Sequence, residues 1–394
     1  GKEIKPTMRI AMIGCKGVPA ASSRGGGIET HVEELSTRLV ERGHQVTVYV
    51  RPYANPHNLT EWKGVKLITL PTVDRKNLDA IVSTFFATLH VLFQPVDVIH
   101  YHGVGPSTLS WIPRIFKWRT KVVVTFHSRD RYHGKWSWIA RAYLALGEWT
   151  AVRFPHATIA VSHVIKAFCD KMYGANVRFI PNGIEIPALH PGTDEVKKLG
   201  LVPNEYLFTL SRLVPHKAVE DVIEGFKRVN TQKKLVIIGT ATYDDVTYER
   251  QLRELAADDP RILFVGHQEG VALKQLVANG YLMVHASRSE GLSVAILEAM
   301  SYAKLVIMSD IPENLELIDH SGVSFKVGDV SSLRDELQWV VNDPELVADR
   351  GHRAREAVRR LYSWTSVVDR IESLYQSLFR RSRTAMQVVE REPA

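Results

Sequence analysis

The sequence predicts an α/β protein made of two doubly wound domains. Short apolar runs alternate with helical stretches along most of the 394 residues. That pattern belongs to mainly parallel sheets covered by helices. A turn-rich passage, Pro181-Asn182-Gly183 followed by Pro187, Pro191 and Gly192, interrupts the alternation, which then starts again. The length itself suits two domains. The expected division is 1–190 for the first domain, 191–363 for the second, and 364–394 for a last helix with a tail.

The first domain opens on a buried strand, Met8–Gly14, and a loop carrying Gly17, Gly25, Gly26 and Gly27. An amphipathic helix follows over Ile28–Arg42, apolar at Ile28, Val32, Leu35 and Leu39, and Gly43-His44 ends it before a strand at Gln45–Val50. The glycines do not form G-x-G-x-x-G, so dinucleotide binding has weak support. They still let backbone approach a ligand such as a phosphate. Further strands are expected at Val65–Leu70, Val96–His102, Lys121–Phe126, Ala157–Val161 and Val177–Ile180. In the second domain the expected strands are Tyr206–Leu210, Lys234–Gly239, Ile262–Val265, Tyr281–Val284, Leu305–Met308 and Val323–Val327. Helices fit at Ala218–Val229, Val246–Ala257, Gly270–Ala278, Val294–Tyr302, Ser331–Val341, Pro344–Leu361 and Trp364–Phe379. The polar tail beyond Arg380 should fray.

Composition narrows the function classes. With 45% hydrophobic residues the chain can build real cores. Its most apolar stretch, Leu78–Phe93, holds Asp79 and His90 and reads as a buried helix; no transmembrane run and no signal peptide are expected. Cys15 and Cys169 form neither a metal-ligand spacing nor a disulfide framework, which points to a reducing cytoplasm. The net charge is +7, and residues 1–190 hold 24 Lys and Arg against 13 Asp and Glu. The first half should therefore attract anions or an anionic surface. No interleaved basic and aromatic repeat favours nucleic acid. Trp111–Lys121 is basic and aromatic; if helical from Pro113, Arg114 and Lys117 align, and the segment either docks peripherally on anionic lipid at the inner face of the membrane or is an ordinary solvated helix.

The chemistry concentrates where strands end. In His285–Met300 a strand, a polar turn and a helix capped by Ser293 aim backbone N–H groups at an anion. Two carboxylates bracket it, Glu290 in the loop and Glu298 in the helix. Val294, Leu297 and Ser301 should share a helix face, with Glu298 beside it. Arg212 and Lys217 flank Pro215 after another strand, and two cations before a helix suit a diphosphate or are simply solvated. In the first domain His127 follows a strand directly, amid Arg129, Asp130 and His133, where Asp130 could orient an imidazole or accept a sugar hydroxyl. His100 and His102 lie one residue apart at a strand end, but no carboxylate or thiol has the spacing to complete a metal site with them. There is no G-x-S-x-G elbow for a serine hydrolase.

Taken in order, Gly26-Gly27-Ile28-Glu29-Thr30-His31-Val32, Thr125-Phe126-His127, Pro181-Asn182-Gly183, Arg212 with Lys217, and the E-x7-E pair Glu290 and Glu298 resemble the retaining nucleotide-sugar glycosyltransferases of family GT4. The likeness runs from Met8 to Phe379. Val96–Ser162, with His102-Gly103 and Lys135-Trp136, is similar to bacterial rhamnosyl- and related transferases of surface-polysaccharide synthesis. The resemblance implies the GT-B fold: two facing Rossmann-like domains, a central cleft, and a C-terminal helix crossing back to the first domain. It implies transfer of a hexose or deoxyhexose from a nucleotide-diphosphate sugar, UDP favoured, to a hydroxyl acceptor such as a lipid-linked or polysaccharide glycan. Arg212 and Lys217 would neutralise the departing diphosphate. Glu290 would hold donor-sugar hydroxyls, the amides of Gly291, Leu292 and Ser293 would reach sugar and phosphate, and Glu298 would accept from the ribose. His127 would touch the donor sugar, Gly26 and Gly27 would admit the diphosphate, and His102, Arg129, Asp130 and His133 would face the acceptor. Neither a cofactor nor a divalent metal is implied, and no D-x-D motif is present to hold one. Ser211 and Ala218 stand where the family usually has glycine, and Gly239-Thr240-Ala241 replaces a more glycine-rich turn. The alternatives are a nucleotide-sugar-binding protein without turnover and a nucleotide-sugar epimerase of the same fold.

Overall fold

The computed structural model describes residues 6–20, 27–75, 78–127, 138–174, 177–290, 293–318 and 321–389, the side chains of 243 and 381–389 excepted. The chain divides into two compact units, residues 1–183 with 364–394, and residues 184–363. The break falls at Gly183, so residues 184–190 side with the second unit, and the last helix belongs to the first.

The first unit carries eight strands: β1 (Arg9–Ile13), β2 (Gln45–Val50), β3 (Glu61–Trp62), β4 (Val65–Thr69), β5 (Val98–His102), β6 (Lys121–Phe126), β7 (Ala157–Ala160) and β8 (Arg178–Phe179). Their order is β3-β4-β2-β1-β5-β6-β7-β8. All pairs are parallel except the short β3–β4 hairpin, which the apolar pattern of the sequence did not announce. The pleat of β1 sorts its side chains to two cores. Ile10 and Met12 join Val32, Leu35 and Leu39 of helix Gly27–Glu41 and Val367, Ile371, Leu374 and Tyr375 of the last helix. Ala11 and Ile13 join Ala87, Val91, Leu144 and Ile165 on the opposite face.

The second unit has β9 (Tyr206–Leu210), β10 (Lys234–Ile238), β11 (Ile262–Gly266), β12 (Met283–His285), β13 (Val306–Ser309) and β14 (Val323–Phe325), ordered β11-β10-β9-β12-β13-β14. This is a doubly wound order, parallel throughout, with helices on both faces. Leu207, Leu235, Ile237 and Ile307 meet Val222, Ile223, Phe226 and Leu337 on one face. Phe208, Val236, Met283 and Met308 meet Ile296, Leu297, Met300 and Val358 on the other.

Four expectations of the sequence are corrected. β14 stops at Phe325 because the Lys326 and Val327 amides leave the ladder for Ser332 Oγ and Asp310 Oδ1. The last helix runs on to Val389, past Arg380, since no Pro or Gly interrupts it before Pro393. Arg114 and Lys117 do not line up as a stripe: the helix spans only Trp111–Phe116, Lys117 Nζ turns back to the Leu92 carbonyl at 3.2 Å, and Arg114 pairs with His156. Val294 is 66% exposed rather than on the buried face, which is made by Ile296, Leu297, Met300 and Ser301. Cys15 and Cys169 are buried free thiols. No helix among the described residues is long and apolar enough to cross a membrane.

Candidate active site

The strand order of the second unit reverses between β9 and β12. Loops leaving such neighbours run to opposite faces and open a crevice at the carboxyl edge of the sheet. Here the two loops are also tied together. The His216 carbonyl accepts the Arg288 N–H at 2.8 Å and the Ser287 hydroxyl at 3.3 Å. The Ser309 hydroxyl, at the end of β13, donates to the Ser287 carbonyl at 2.5 Å, and Asn314 in turn donates to Ser309.

That clamp brings Lys217 to Glu290. Lys217 Nζ donates to Glu290 Oε1 at 2.5 Å, and His285 Nε2, on the last residue of β12, donates to the same oxygen at 2.8 Å. The carboxyl is only 8% exposed. Burial resists its ionisation, but the contacts of His285 and Lys217 outweigh that and bring its pKa down to about 2. Glu290 is thus a fixed acceptor, ionised at neutral pH. Arg212 lies exposed on the loop after β9 and has no ion-pair partner among the described residues. Ala218, where a glycine was the expected residue, takes a left-handed conformation (φ 50°) with its methyl buried in the core, so the turn is made despite the Cβ.

Ser293 caps helix Val294–Ser301, its hydroxyl accepting from the Ile296 amide at 3.3 Å. One turn on, Glu298 lines an open pocket of ≈ 460 Å³ with Lys274, Val294, Tyr302 and residues of the Ile184–Pro191 passage. Its carboxylate has no hydrogen-bond partner among the described residues. Burial raises its pKa, and Lys274 opposes that only partly. Gly291 and Leu292 lie outside the described residues.

In the first unit the order reverses between β1 and β5. Gly14 ends β1 at φ +115°, and a Cβ there would stand 2.4 Å from the His102 carbonyl, so the strand ends are in contact. His102 stacks on His100 with ring centroids 4.1 Å apart. Both nitrogens of His100 are engaged, Nδ1 with the Tyr375 hydroxyl at 2.5 Å and Nε2 with Thr125 Oγ1 at 2.6 Å. That histidine fastens the last helix to the sheet. His127, just after β6, sets its Nε2 3.2 Å from His102 Nδ1. Burial, with the neighbouring imidazoles, holds both well below the usual histidine range. They are therefore neutral at pH 7. Gly27 begins its helix, and a Cβ on it would meet nothing within 4 Å. No close contact within the described protein requires a glycine there. Gly26, Arg129, Asp130 and His133 lie outside the described residues.

Two contributors escaped the sequence reading. His285 opens the stretch His285–Met300, five residues before Glu290, but a histidine inside an apolar strand end carries no local sign that it reaches that carboxylate. His31 sits in the glycine-rich motif, but nothing in its spacing showed that it reaches His102 and His127.

Comparison with known proteins gives the family and the fold. Residues 25–186 match the family Glycosyltransferase Family 4, and residues 193–357 match Glycosyl transferases group 1. The chain is 29% identical to N-acetyl-alpha-D-glucosaminyl L-malate synthase of Bacillus anthracis, over 90% of this chain and 95% of that protein. It is 26% identical to the gpi3 subunit of phosphatidylinositol N-acetylglucosaminyltransferase of Schizosaccharomyces pombe, over 90% and 78%. Among solved structures, Anabaena HepE in complex with UDP superimposes with a TM-score of 0.74 at 19% identity, covering 94% of this chain and all of that one. Sucrose-phosphate synthase of Thermosynechococcus elongatus also gives 0.74, at 20% identity, and the likeness of both is one of fold. The two family matches together span both units, and the chain belongs to glycosyltransferase family 4, as an enzyme of the GT-B fold.

Proposed function

We propose that the protein is a retaining transferase that moves a hexose or deoxyhexose from a nucleotide-diphosphate sugar, UDP favoured, to a hydroxyl of a lipid-linked or polysaccharide glycan. The observation that carries this reading is the Lys217–Glu290–His285 arrangement at the β9–β12 reversal. A donor sugar needs ionised acceptors for its hydroxyls and fixed cations for its leaving group, and both are held in one loop pair. Cations aimed at the departing diphosphate are worth on the order of 3 kcal/mol each in the transition state. Lys217 and the exposed Arg212 fill that role. A carboxylate without a partner in an open pocket suits two ribose hydroxyls, which gives Glu298 its part. His127, neutral, has its Nε2 turned to His102 and offers its Nδ1 to a sugar hydroxyl. The cations supply the leaving-group charge, so the step needs no divalent metal. UDP is favoured because Anabaena HepE, which shares this fold, was solved with it.

A membrane contact at the cytoplasmic face fits the same reading. Phe93, Ile115, Phe116 and Trp118 are 84, 61, 69 and 66% exposed. The Arg119 guanidinium lies 4.9 Å from the Trp118 ring. Aromatic and basic groups together suit an anionic lipid surface. The test is a panel of nucleotide sugars, with and without vesicles of anionic lipid carrying a polyprenyl-phosphate glycan, read by mass spectrometry for free nucleotide and glycosylated product, in chelator. Release of UDP with retained anomeric configuration is expected. Binding without release of nucleotide, interconversion of the sugar without transfer, or a thermal shift with NAD(H) alone overturns the proposal.

A further inference from the structure

Three histidines from different parts of the first unit converge. His31 comes from helix Gly27–Glu41, His102 from the end of β5 and His127 from the end of β6, and one ligand nitrogen of each lies within 4.8 Å of the others. Their ring centroids are 4.9 Å (His31–His127), 5.5 Å (His31–His102) and 5.5 Å (His102–His127) apart. For imidazoles bound at about 2.0–2.1 Å, tetrahedral geometry puts centroids about 5 Å apart and nitrogens about 3.3 Å apart. The nearly equilateral triangle of rings matches the first spacing. The 3.2 Å between His102 Nδ1 and His127 Nε2 matches the second.

Two further observations single out an ion. His31 is 3% exposed, yet neither of its ring nitrogens makes a hydrogen bond of normal geometry among the described residues. A buried imidazole left so is costly, unless a ligand takes its lone pair. The outer contacts also suit ligation, because a metal-bound histidine donates its other N–H to an acceptor. With Nδ1 of His102 turned to the centre, its Nε2 meets Met12 Sδ at 3.3 Å. Asn182 of the Pro-Asn-Gly turn stands against the His31 ring as an acceptor for its outer N–H, and its Oδ1 likewise makes no hydrogen bond of normal geometry among the described residues.

We propose that His31, His102 and His127 form a binding site for a divalent transition-metal ion that favours imidazole, Zn²⁺ being the fitting class, with a fourth position left to a water or a ligand hydroxyl. The site belongs to the first unit, whereas Lys217 and Arg212 belong to the second. Its test reads metal and not turnover, and therefore stands or falls apart from the proposed reaction.

Tag-free protein stripped with chelator is titrated with Co²⁺, and the visible d–d bands of tetrahedral cobalt are followed, with Zn²⁺ as competitor. One ion per chain is expected, displaced by Zn²⁺. His31→Ala and the bulkier His31→Phe are expected to weaken binding at least tenfold, while His267→Ala, at an exposed histidine, leaves it unchanged. Thermal unfolding of each variant shows whether it is folded. Absence of tetrahedral bands in wild-type protein at millimolar Co²⁺, or equal binding by folded His31→Phe, overturns the site.

Discussion

Lys217 Nζ and Glu290 Oε1 are 2.5 Å apart although 73 residues of chain separate them. Their meeting follows from strand order, since β9 and β12 are neighbours in the sheet while β10 and β11 lie beyond β9. Lys217→Met keeps the aliphatic stem and removes the charge. It leaves Glu290 with His285 alone, and breaking a pair this buried costs about 3 kcal/mol. The expected outcome is a fall in transfer rate of roughly 10²- to 10³-fold, the scale of losing one charge-stabilising donor, with a lower urea midpoint. Lys217→Arg should restore part of the stability. A variant with wild-type kcat would remove Lys217 from the leaving-group role.

Glu290 makes stability depend on acid. Its pKa is brought from an ordinary 4.5 down to about 2 in the folded chain. A depressed carboxylate contributes stability that is fully present above the unfolded value and is lost as pH falls towards the folded one. The window is therefore from about pH 4.5 down to about pH 2, and the amount is about 3 kcal/mol at most. Glu290→Gln lacks this titration. Urea midpoints of the two proteins should differ above pH 5 and converge as pH drops through 4 to 3. A gap that stays constant over that range would show that the carboxylate is not held in its ionised form.

What the sequence disclosed about this site depended on the range of the interaction. Strands and helices were legible because periodicity is local, and Ser293 could be named a cap from its position alone. Glu290, Lys217 and Arg212 were legible as polar groups at strand ends. Their pairing was not, because nothing local says that β12 lies next to β9. Val294 failed for the same reason: an apolar residue at helical spacing reads as core, but this one borders the Glu298 pocket. His100 and His102 looked equivalent in sequence. As i and i+2 of one strand they share a face, and only their position along it divides them: His100 meets Tyr375 and Thr125, while His102, at the strand end, lies beside His31 and His127.

Glu298 should show a trade of stability against binding. Its carboxylate is half-buried, raised in pKa by burial, and without a hydrogen-bond partner among the described residues. In the unliganded protein an ionised group in that position is destabilising, and a neutral amide is not. Glu298→Gln should therefore raise the melting temperature, by the equivalent of about 1 kcal/mol. It should also weaken UDP binding about tenfold, as expected for the loss of charge-assisted hydrogen bonds to ribose. Calorimetric titration with UDP and with its 2′-deoxy analogue checks the assignment. The wild type should discriminate between them and the variant should not. Equal discrimination by both proteins would assign ribose recognition elsewhere.

Gly183 carries a different kind of constraint. A Cβ added there would fall 2.3 Å from Cδ2 of Trp364 and 2.6 Å from Cε3, well inside van der Waals contact. Trp364 is 6% exposed, opens the last helix, and faces the His31 ring at a centroid distance of 5.6 Å. The indole has no solvent to retreat into, so the backbone or the helix must move. Gly183→Ala should cost about 3 kcal/mol, the upper end for overpacking a tight core. Trp364→Phe removes much of the clashing ring at a cost of its own. In the double variant the two penalties should add to clearly less than their sum, since each relieves the other. Urea unfolding of the four proteins measures that coupling. Strict additivity would mean that the turn at Asn182–Gly183 is not pressed against Trp364, and with it would go the placement of Asn182 against His31.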